Sequence, residues 1–493
     1  MSESVKSDKL IAKQEEEEKE YTTYFFQRPL GFGMAALWVF MHYLTIGLIQ
    51  GYYTSVQYNL QSEGVSFDAQ SKLSLAVYPY SFKFIFSPLL DRYFVRNFGR
   101  SKTYIITGGS VIGFVFLFLG PTIQKLILEM QVNELTVLFF VINLMVCIVQ
   151  IAGEAWILTM FNKETKTKAA AFLNAGQSLG SILGYNVFTP LNDVEWLNSN
   201  IFVNNPRTSP LITHQMFCFF VSILYLSQIA VNLLFIAEEK MNKKNKDICK
   251  ILVIFPRHFT NSRMRSLIGY MFASRFIYYM VDQSFDLVLV KNGYLDISRS
   301  TLSSIDTLTF PLVFVLTLLV MYLLKKGQLL WMTHLNVIVV VMNGFFRYFN
   351  YMNLTKNRMY NTTVAGRVFS SVITGMDFTT LFWMSFFNTI VKKEVGNTGI
   401  TCLIALMNQT SVLATTIGFL LVSWQGFEAV ALICVSTQLV ILLLTLKIPR
   451  DFDKEDTEHF DLTKPEGAVV SKDTVVSNEY QSMKVDRERE QQH

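Results

Sequence analysis

The sequence predicts an all-α integral membrane protein with 12 transmembrane helices in two six-helix halves. Of its 493 residues, 51% are hydrophobic and 16% are charged, whereas a soluble domain carries about 25% charged residues. Apolar stretches of about 20 residues, enough to cross a bilayer core of about 30 Å, recur from Leu30 to Leu446. A basic segment divides these stretches into six and six, as in transporters built from two repeats.

The apolar stretches and their flanking charges place each span in order. In the first half, the predicted spans are 30–58, 69–94, 103–124, 135–161, 169–192 and 212–237. In the second half, they are 266–290, 300–324, 329–351, 363–391, 397–424 and 427–447. The predicted organisation is therefore a polar N-terminal tail (1–29), a first half (30–237), a basic central loop (238–265), a second half (266–447) and a polar, acidic C-terminal tail (448–493).

The distribution of basic residues predicts the orientation of these spans. Loops on the side of both termini carry 19 Lys and Arg residues, and loops on the opposite side carry six. Because cytoplasmic loops are enriched in Lys and Arg, both termini are expected to face the cytosol, or the matrix if the membrane is mitochondrial.

Ionisable residues inside the spans are the candidate functional residues, since each costs about 2.5–3.5 kcal/mol on insertion scales. Lys83 lies in the middle of its span. It could serve as a cationic contact in a central cavity or form a structural pair with a buried acid such as Glu154. Arg275 and Asp282 are seven residues apart, so they lie on one helix face and could share that cavity with Lys83.

Three other ionisable residues, Arg347, Arg367 and Asp306, lie close to predicted span ends. Long side chains at such positions reach the membrane interface, so snorkelling or pairing in a loop is the favoured interpretation.

Proline and glycine patterns predict local features of two spans. Pro79 and Pro88 should bend the second span because each removes a backbone donor. Gly176, Gly180 and Gly184 form a small-residue face on the fifth span, which allows close approach of another helix. This face could be a rocking interface or a site of tight packing, and packing is favoured.

Enzymatic activity, cofactors, metal sites and nucleic-acid binding are not expected. The water-exposed segments show no Ser/His/Asp, Cys/His or phosphate-loop arrangement, and the five Cys residues have no zinc-site spacing. The expected binding partners are membrane lipids and a small-molecule substrate.

The second span and the loop after it carry a recognisable motif. The segments 78–83 (YPYSFK), 87–91 (SPLLD) and 94–102 (FVRNFGRSK) closely resemble the signature of the acetyl-coenzyme A transporter family, a branch of the major facilitator superfamily. The resemblance covers most of the first half and thins in the second.

This resemblance implies a major facilitator fold, acetyl-CoA or a similar anionic metabolite as substrate, and the endoplasmic reticulum membrane. Asp91, Arg92, Gly99 and Arg100 are similar to the superfamily's gating loop between helices two and three.

A polyanion needs cations in its cavity. Lys83 and Arg275 are therefore the expected substrate contacts, and Asp282 and Glu154 are expected to orient them or to couple counter-ion movement.

The fourth span departs from the family pattern. The family's run of Gln-Asp-Ile-Ala-Val-Asp-Gly-Trp is replaced here by 149–156 (VQIAGEAW). One family carboxylate is thus an amide, Gln150, and the other has gained a methylene group as Glu154.

An alternative hypothesis is a transport-inactive, transporter-derived structural subunit of a large membrane complex, for example a respiratory assembly in the mitochondrial inner membrane. The altered acids of the fourth span agree with it. In that case the polar tails would contact other chains, because alone they cannot bury enough apolar surface to become ordered.

Overall fold

The computed structural model of the chain describes residues 27–161, 166–238, 262–290, 298–308, 341–352 and 396–445, together with the single residues 311, 338, 365 and 368. These residues contain six helices that are long and apolar enough to cross a membrane. They cover Phe32–Ser62, Phe67–Leu90, Arg100–Leu128, Val132–Ile157, His214–Leu234 and Ala405–Gln425.

The first half is described almost completely. Its elements are α1 (Phe32–Ser62), α2 (Phe67–Ser74), a 3₁₀ segment (Leu75–Phe82), α3 (Lys83–Arg92), α4 (Arg100–Leu128), α5 (Val132–Met160), α6 (Lys166–Ser181), a π-helical turn (Ile182–Val187), α7 (Phe188–Asn192), α8 (Val194–Asn200) and α9 (His214–Leu234). The 3₁₀ segment joins α2 to α3 within the second predicted span, and the π-helical turn joins α6 to α7 within the fifth. These bounds agree with the six predicted first-half spans to within four residues.

The second half is described in part. Its elements are α10 (Ser262–Val290), helical segments at 299–308 and 341–352, α11 (Gly396–Gln425) and α12 (Phe427–Thr445). The predicted spans at 300–324, 329–351 and 363–391 lie partly or mostly outside the described residues, so these helices alone do not confirm the count of twelve.

The helices alternate in direction between two ends of the bundle. We call the end at which α1 begins the inner end, and the end at which α1 finishes the outer end. The inner end holds Arg92 and the start of α4, and the outer end holds Ser62 and the start of α2. The inner end is the one that the basic residues predict to be cytosolic.

Side-chain caps fix two helix starts at the outer end. The Ser66 hydroxyl accepts a hydrogen bond from the Ala69 N–H at 3.3 Å before α2, and the Thr213 hydroxyl accepts one from the Met216 N–H at 3.2 Å before α9. Each cap satisfies one of the N–H groups that the first turn of a helix leaves unpaired.

Three glycines of the fifth span pack against α1: Gly176 and Gly180 of α6, and Gly184 of the π-helical turn. A Cβ added at Gly180 would lie closer to the backbone carbonyl of Leu44 than the 3.0 Å that real Cβ atoms keep, and Gly176 and Gly184 meet α1 backbone in the same way. Both helices belong to the first half, so this small-residue face is a site of tight packing and does not lie between the halves.

Helix α11 forms much of the described contact between the halves. It packs against α2, the 3₁₀ segment and α3. Aromatic rings add to this interface, with Phe67 and Phe419 at a centroid separation of 6.0 Å. Tyr58, Phe67 and Tyr185 of the first half therefore share a hydrophobic cluster with second-half residues.

Candidate functional site

A cavity of about 1050 Å³ lies between the two halves. It is lined on one side by residues of α1, the second span, α4, α5, α6 and the π-helical turn, and on the other side by residues of α10 and α11. Its lining extends from Gln57 near the outer end to Arg100 and Ser101 at the inner end. The cavity therefore reaches the inner end of the bundle.

The Lys83–Glu154 ion pair lies on the wall of this cavity. Lys83 Nζ donates to Glu154 Oε1 at 3.1 Å, and both residues line the cavity. The Lys83 side chain is 3% exposed and that of Glu154 is 37% exposed. The predicted pair of Lys83 with Glu154 is therefore observed, and Lys83 also lies in the lining of the cavity.

The 3₁₀ segment before Lys83 leaves backbone carbonyls for α5 to bind. In a 3₁₀ helix the N–H of residue 79 would bond to the carbonyl of Ala76, but Pro79 has no N–H. The side-chain amide of Asn143 donates to this carbonyl at 2.9 Å instead. Pro79 thus lies in a 3₁₀ segment of the second span, and Asn143 supplies the hydrogen-bond donor that the proline lacks.

One face of α5 presents four polar side chains to the second span: Asn143, Cys147, Gln150 and Glu154. Asn143 binds the carbonyl of Ala76, the Cys147 thiol donates to the carbonyl of Pro79 at 3.4 Å, and Glu154 pairs with Lys83.

Gln150 differs from the other three. Its side chain lines the cavity and is buried, and its Oε1 has no hydrogen-bond partner among the described residues. Hydropathy patterns miss such uncharged positions, although the departure of the fourth span from the family pattern pointed to Gln150.

Asp282 pairs with Arg347 in the second half. Arg347 Nη2 lies 2.5 Å from Asp282 Oδ1, and Arg347 Nη1 donates to the Asp282 carbonyl at 2.8 Å. Arg347 also donates from Nε to Asn343 Oδ1 at 3.2 Å, and its side chain is 4% exposed. The favoured interpretation of Arg347, snorkelling or pairing in a loop, is wrong, because Arg347 lies in a helix and pairs with Asp282 of α10.

Arg275 is held by aromatic and hydroxyl groups. Its Nη2 donates to the Tyr279 hydroxyl at 2.9 Å, and its guanidinium lies 5.0 Å from the centroid of the Tyr279 ring. Tyr279 and Ser411, a second partner of Arg275 at 3.4 Å, line the cavity. Among the described residues, Lys83 lines the cavity, but Arg275 and Asp282 do not. The structure therefore does not bring these three residues together on the cavity wall.

The four residues that are similar to the superfamily's gating loop lie at the inner end, between the end of α3 and the start of α4. Gly99 has φ +96°, a conformation that favours glycine, and a Cβ there would collide with the carboxyl of Glu238. Arg92 is exposed, and Arg100 lines the cavity. Asp91 lies in the last turn of α3, and its side chain is not among those that the structure describes.

Glu238 anchors the chain after α9 to the start of α4. Its carboxylate oxygens accept hydrogen bonds from the N–H groups of Ser101 and Lys102, each at 2.8 Å. Burial raises the pKa of the Glu238 carboxyl above its usual value, although these hydrogen bonds and Arg100 oppose the shift. Sequence reasoning missed Glu238, and its only signal was its position directly after a span, at the start of a predominantly basic loop.

Polar contacts join the halves near the outer end. Arg299 donates to the Ser62 hydroxyl at 3.1 Å, and the Ser300 hydroxyl donates to Asp193 at 2.5 Å. The hydroxyls of Ser74 and Thr416 lie 2.7 Å apart. The first two contacts lie at the outer end, and Ser74 lies two helical turns further in, where it also lines the cavity.

The family model described as "Acetyl-coenzyme A transporter 1" matches residues 35–260. This confirms the resemblance inferred from the second span and the loop after it. The chain is also 26% identical over 270 residues to an uncharacterized protein of Schizosaccharomyces pombe, and 28% identical over 220 residues to an uncharacterized membrane protein of Saccharomyces cerevisiae. These matches cover 54% and 41% of the chain, and the chain spans 50% and 39% of the two relatives.

Solved structures of major facilitator transporters share the fold. The xylose transporter XylE from E. coli in an inward open conformation aligns with a TM-score of 0.58 at 12% identity, over 87% of this chain and 100% of that one. A mutant of the nucleoside transporter NupG aligns with a TM-score of 0.61 at 11% identity, over 84% and 99%. A POT family transporter in complex with 5-aminolevulinic acid aligns with a TM-score of 0.59 at 12% identity, over 86% and 99%.

The predicted major facilitator fold is therefore confirmed. The matched family and the shared fold are those of membrane transporters and not of enzymes.

Proposed function

Starting from the similarity of residues 35–260 to the acetyl-coenzyme A transporter family, we propose that the chain is a secondary transporter of an anionic metabolite, acetyl-CoA or a related compound, that works by alternating access. The observation that carries this proposal is the Lys83–Glu154 pair on the wall of the cavity between the halves.

Lys83 is the proposed substrate contact, and the pair suggests how it binds. Its ammonium is almost fully buried, so removing Glu154 without a replacement would leave a buried charge uncompensated, which is strongly unfavourable. An anionic substrate group can replace the carboxylate of Glu154. Because the Glu154 side chain is 37% exposed, it can move into the cavity when the substrate takes its place.

The contacts between the halves support alternating access. Polar pairs such as Arg299–Ser62 join the halves near the outer end, whereas the cavity lining reaches Arg100 at the inner end. This is the arrangement expected of a transporter open toward the inner side. In the other state the outer contacts would break, and the gating-loop residues Asp91, Arg92, Gly99 and Arg100 would help to close the inner end.

The proposed roles of the second-half residues are less direct. Arg275 would bind substrate through its neighbours Tyr279 and Ser411, which line the cavity. Asp282 would compensate the charge of Arg347 and so fix the position of α10. The proposed location is the endoplasmic reticulum membrane with both termini in the cytosol, or the mitochondrial inner membrane with both termini in the matrix.

Uptake of labelled acetyl-CoA into proteoliposomes tests the proposal. Lys83→Met should abolish uptake because the substrate anion loses its cationic partner, while the purified variant remains folded. The matched control is Lys125→Met, because Lys125 is 68% exposed and pairs with Glu129 on the surface. Uptake by Lys83→Met equal to that of the wild type would exclude Lys83 from the site.

The uptake assay, together with a native gel of membranes solubilised in mild detergent, tests the alternative of a structural subunit. The tails that would contact partners, 1–29 and 448–493, lie outside the described residues except for residues 27–29. Failure of the wild-type protein to transport, combined with co-migration with a large complex on a native gel, would favour that alternative. Deleting 452–493 should then weaken assembly.

A further inference from the structure

Gln150 is a buried acceptor on the cavity wall that the described part of the protein leaves unused. The residue is 9% exposed and lines the cavity, and its Oε1 has no hydrogen-bond partner among the described residues. A buried acceptor without a donor is unfavourable, so a ligand that brings a donor to it gains affinity.

The position of Gln150 relates it to the ion pair. It lies one helical turn before Glu154 on α5, and residues at this spacing have Cβ atoms about 5–6 Å apart. The other polar residues on this face already bind the second span through Ala76, Pro79 and Lys83. Gln150 is therefore the described member of this face that is free to bind a ligand next to Lys83.

We propose that Gln150 is a specificity-determining residue, whose Oε1 accepts a hydrogen bond from an uncharged N–H or O–H group of the substrate while the anionic group of that substrate lies at Lys83. This inference rests on the proposed function. The substrate class is an anion that carries a neutral donor, such as an amide, a hydroxyl or a base amino group, close to its charge.

An amide suits this role better than a carboxylate would. A carboxylate at position 150 would add a second negative charge beside Glu154 and would repel an anion at Lys83. The amide oxygen accepts a hydrogen bond without that charge.

Binding to the purified full-length protein tests the inference with separate probes. Acetyl-CoA carries both an anionic group and neutral donors. Pantetheine supplies neutral amide and hydroxyl donors, adenosine supplies a base amino group and hydroxyls, and pyrophosphate supplies only the anion. The variants are Gln150→Met, which keeps the size but removes the acceptor, and Gln150→Glu. The control is Gln177→Met, because Gln177 lines the same cavity but its amide already donates to Gln50 Oε1 at 2.8 Å.

Gln150→Met should weaken acetyl-CoA binding about tenfold, which is the effect of losing one hydrogen bond of about 1.4 kcal/mol. The binding of one of the two neutral probes should weaken by a similar factor, and this identifies the donor. The affinity for pyrophosphate should stay within about twofold of that of the wild type. Gln150→Glu should weaken the binding of pyrophosphate. The inference is overturned if both neutral probes bind Gln150→Met as tightly as they bind the wild type. It is also overturned if Gln150→Met and Gln177→Met weaken binding equally, or if the wild type binds neither neutral probe.

Failure of the inference is distinguishable from failure of the proposed function. If the variants behave as expected toward pantetheine or adenosine but the wild type does not take up acetyl-CoA, the transport proposal fails and the role of Gln150 stands. If acetyl-CoA is taken up and Gln150→Met binds it normally, only the role of Gln150 is refuted.

Discussion

Replacing Arg347 should destabilise the second half by leaving Asp282 as an uncompensated buried charge. Arg347 is 3% exposed and Asp282 is 8% exposed. Their ion pair is 2.5 Å long, and Arg347 also donates to the Asp282 carbonyl and to Asn343. Removing one partner of a buried pair costs about 3–5 kcal/mol, so Arg347→Met should lower the free energy of unfolding by that amount.

A double variant separates the cost of the charge from the cost of the lost hydrogen bonds. Arg347→Met combined with Asp282→Asn removes both charges and leaves only the lost bonds to the Asp282 carbonyl and Asn343, worth about 1 kcal/mol each. The double variant should therefore be more stable than Arg347→Met alone by about 1–3 kcal/mol, which is the difference between these two costs. The free energy of unfolding is measured by SDS titration in mixed micelles.

An exposed pair on α2 provides the control. Lys72 and Asp68 lie 3.0 Å apart with side chains 55% and 51% exposed, so Lys72→Met should cost less than about 1 kcal/mol. If the double variant is no more stable than Arg347→Met, the buried charge is not the cause of the loss. A loss below about 1 kcal/mol for Arg347→Met would refute the reasoning itself.

Three other substitutions test the packing that supports the site. Gly180→Ala should lower the free energy of unfolding by about 1–3 kcal/mol because its Cβ meets α1 backbone, whereas Gly33→Ala, with nothing within 4 Å, should not. Asn143→Leu should cost about 1–3 kcal/mol in the same assay, because it leaves the Ala76 carbonyl unpaired. The raised pKa of Glu238 means that the folded protein holds the proton of this carboxyl more tightly than the unfolded chain does. The stability of the wild type relative to Glu238→Gln should therefore be greatest below the usual carboxyl pKa, and it should fall as the pH rises through the pKa of the folded state. Thermal unfolding of both proteins from about pH 4 upward measures this difference, and a difference that grows with pH would contradict it.

The sequence predicted the fold well because hydropathy and charge report directly on insertion into a membrane. The first-half spans agree with the observed helices to within four residues, and the pairing of Lys83 with Glu154 was one of the two interpretations considered. Arg347 was misjudged because distance from a span end says nothing about which neighbour the side chain faces. Asn143 was missed because an amide that compensates for Pro79 leaves no mark in hydropathy.

The two ion pairs show why sequence alone could not rank the candidate residues. Lys83 and Asp282 both appear in the sequence as charged residues within apolar spans, and each has a partner in the structure. Their partners differ in exposure, since the side chain of Glu154 is 37% exposed to the cavity and that of Arg347 is 4% exposed. A partner that faces a cavity can be exchanged for a ligand, whereas a partner enclosed by other helices can leave only if the helices separate. Lys83 is therefore suited to bind a substrate, and Asp282 is suited to hold two helices together.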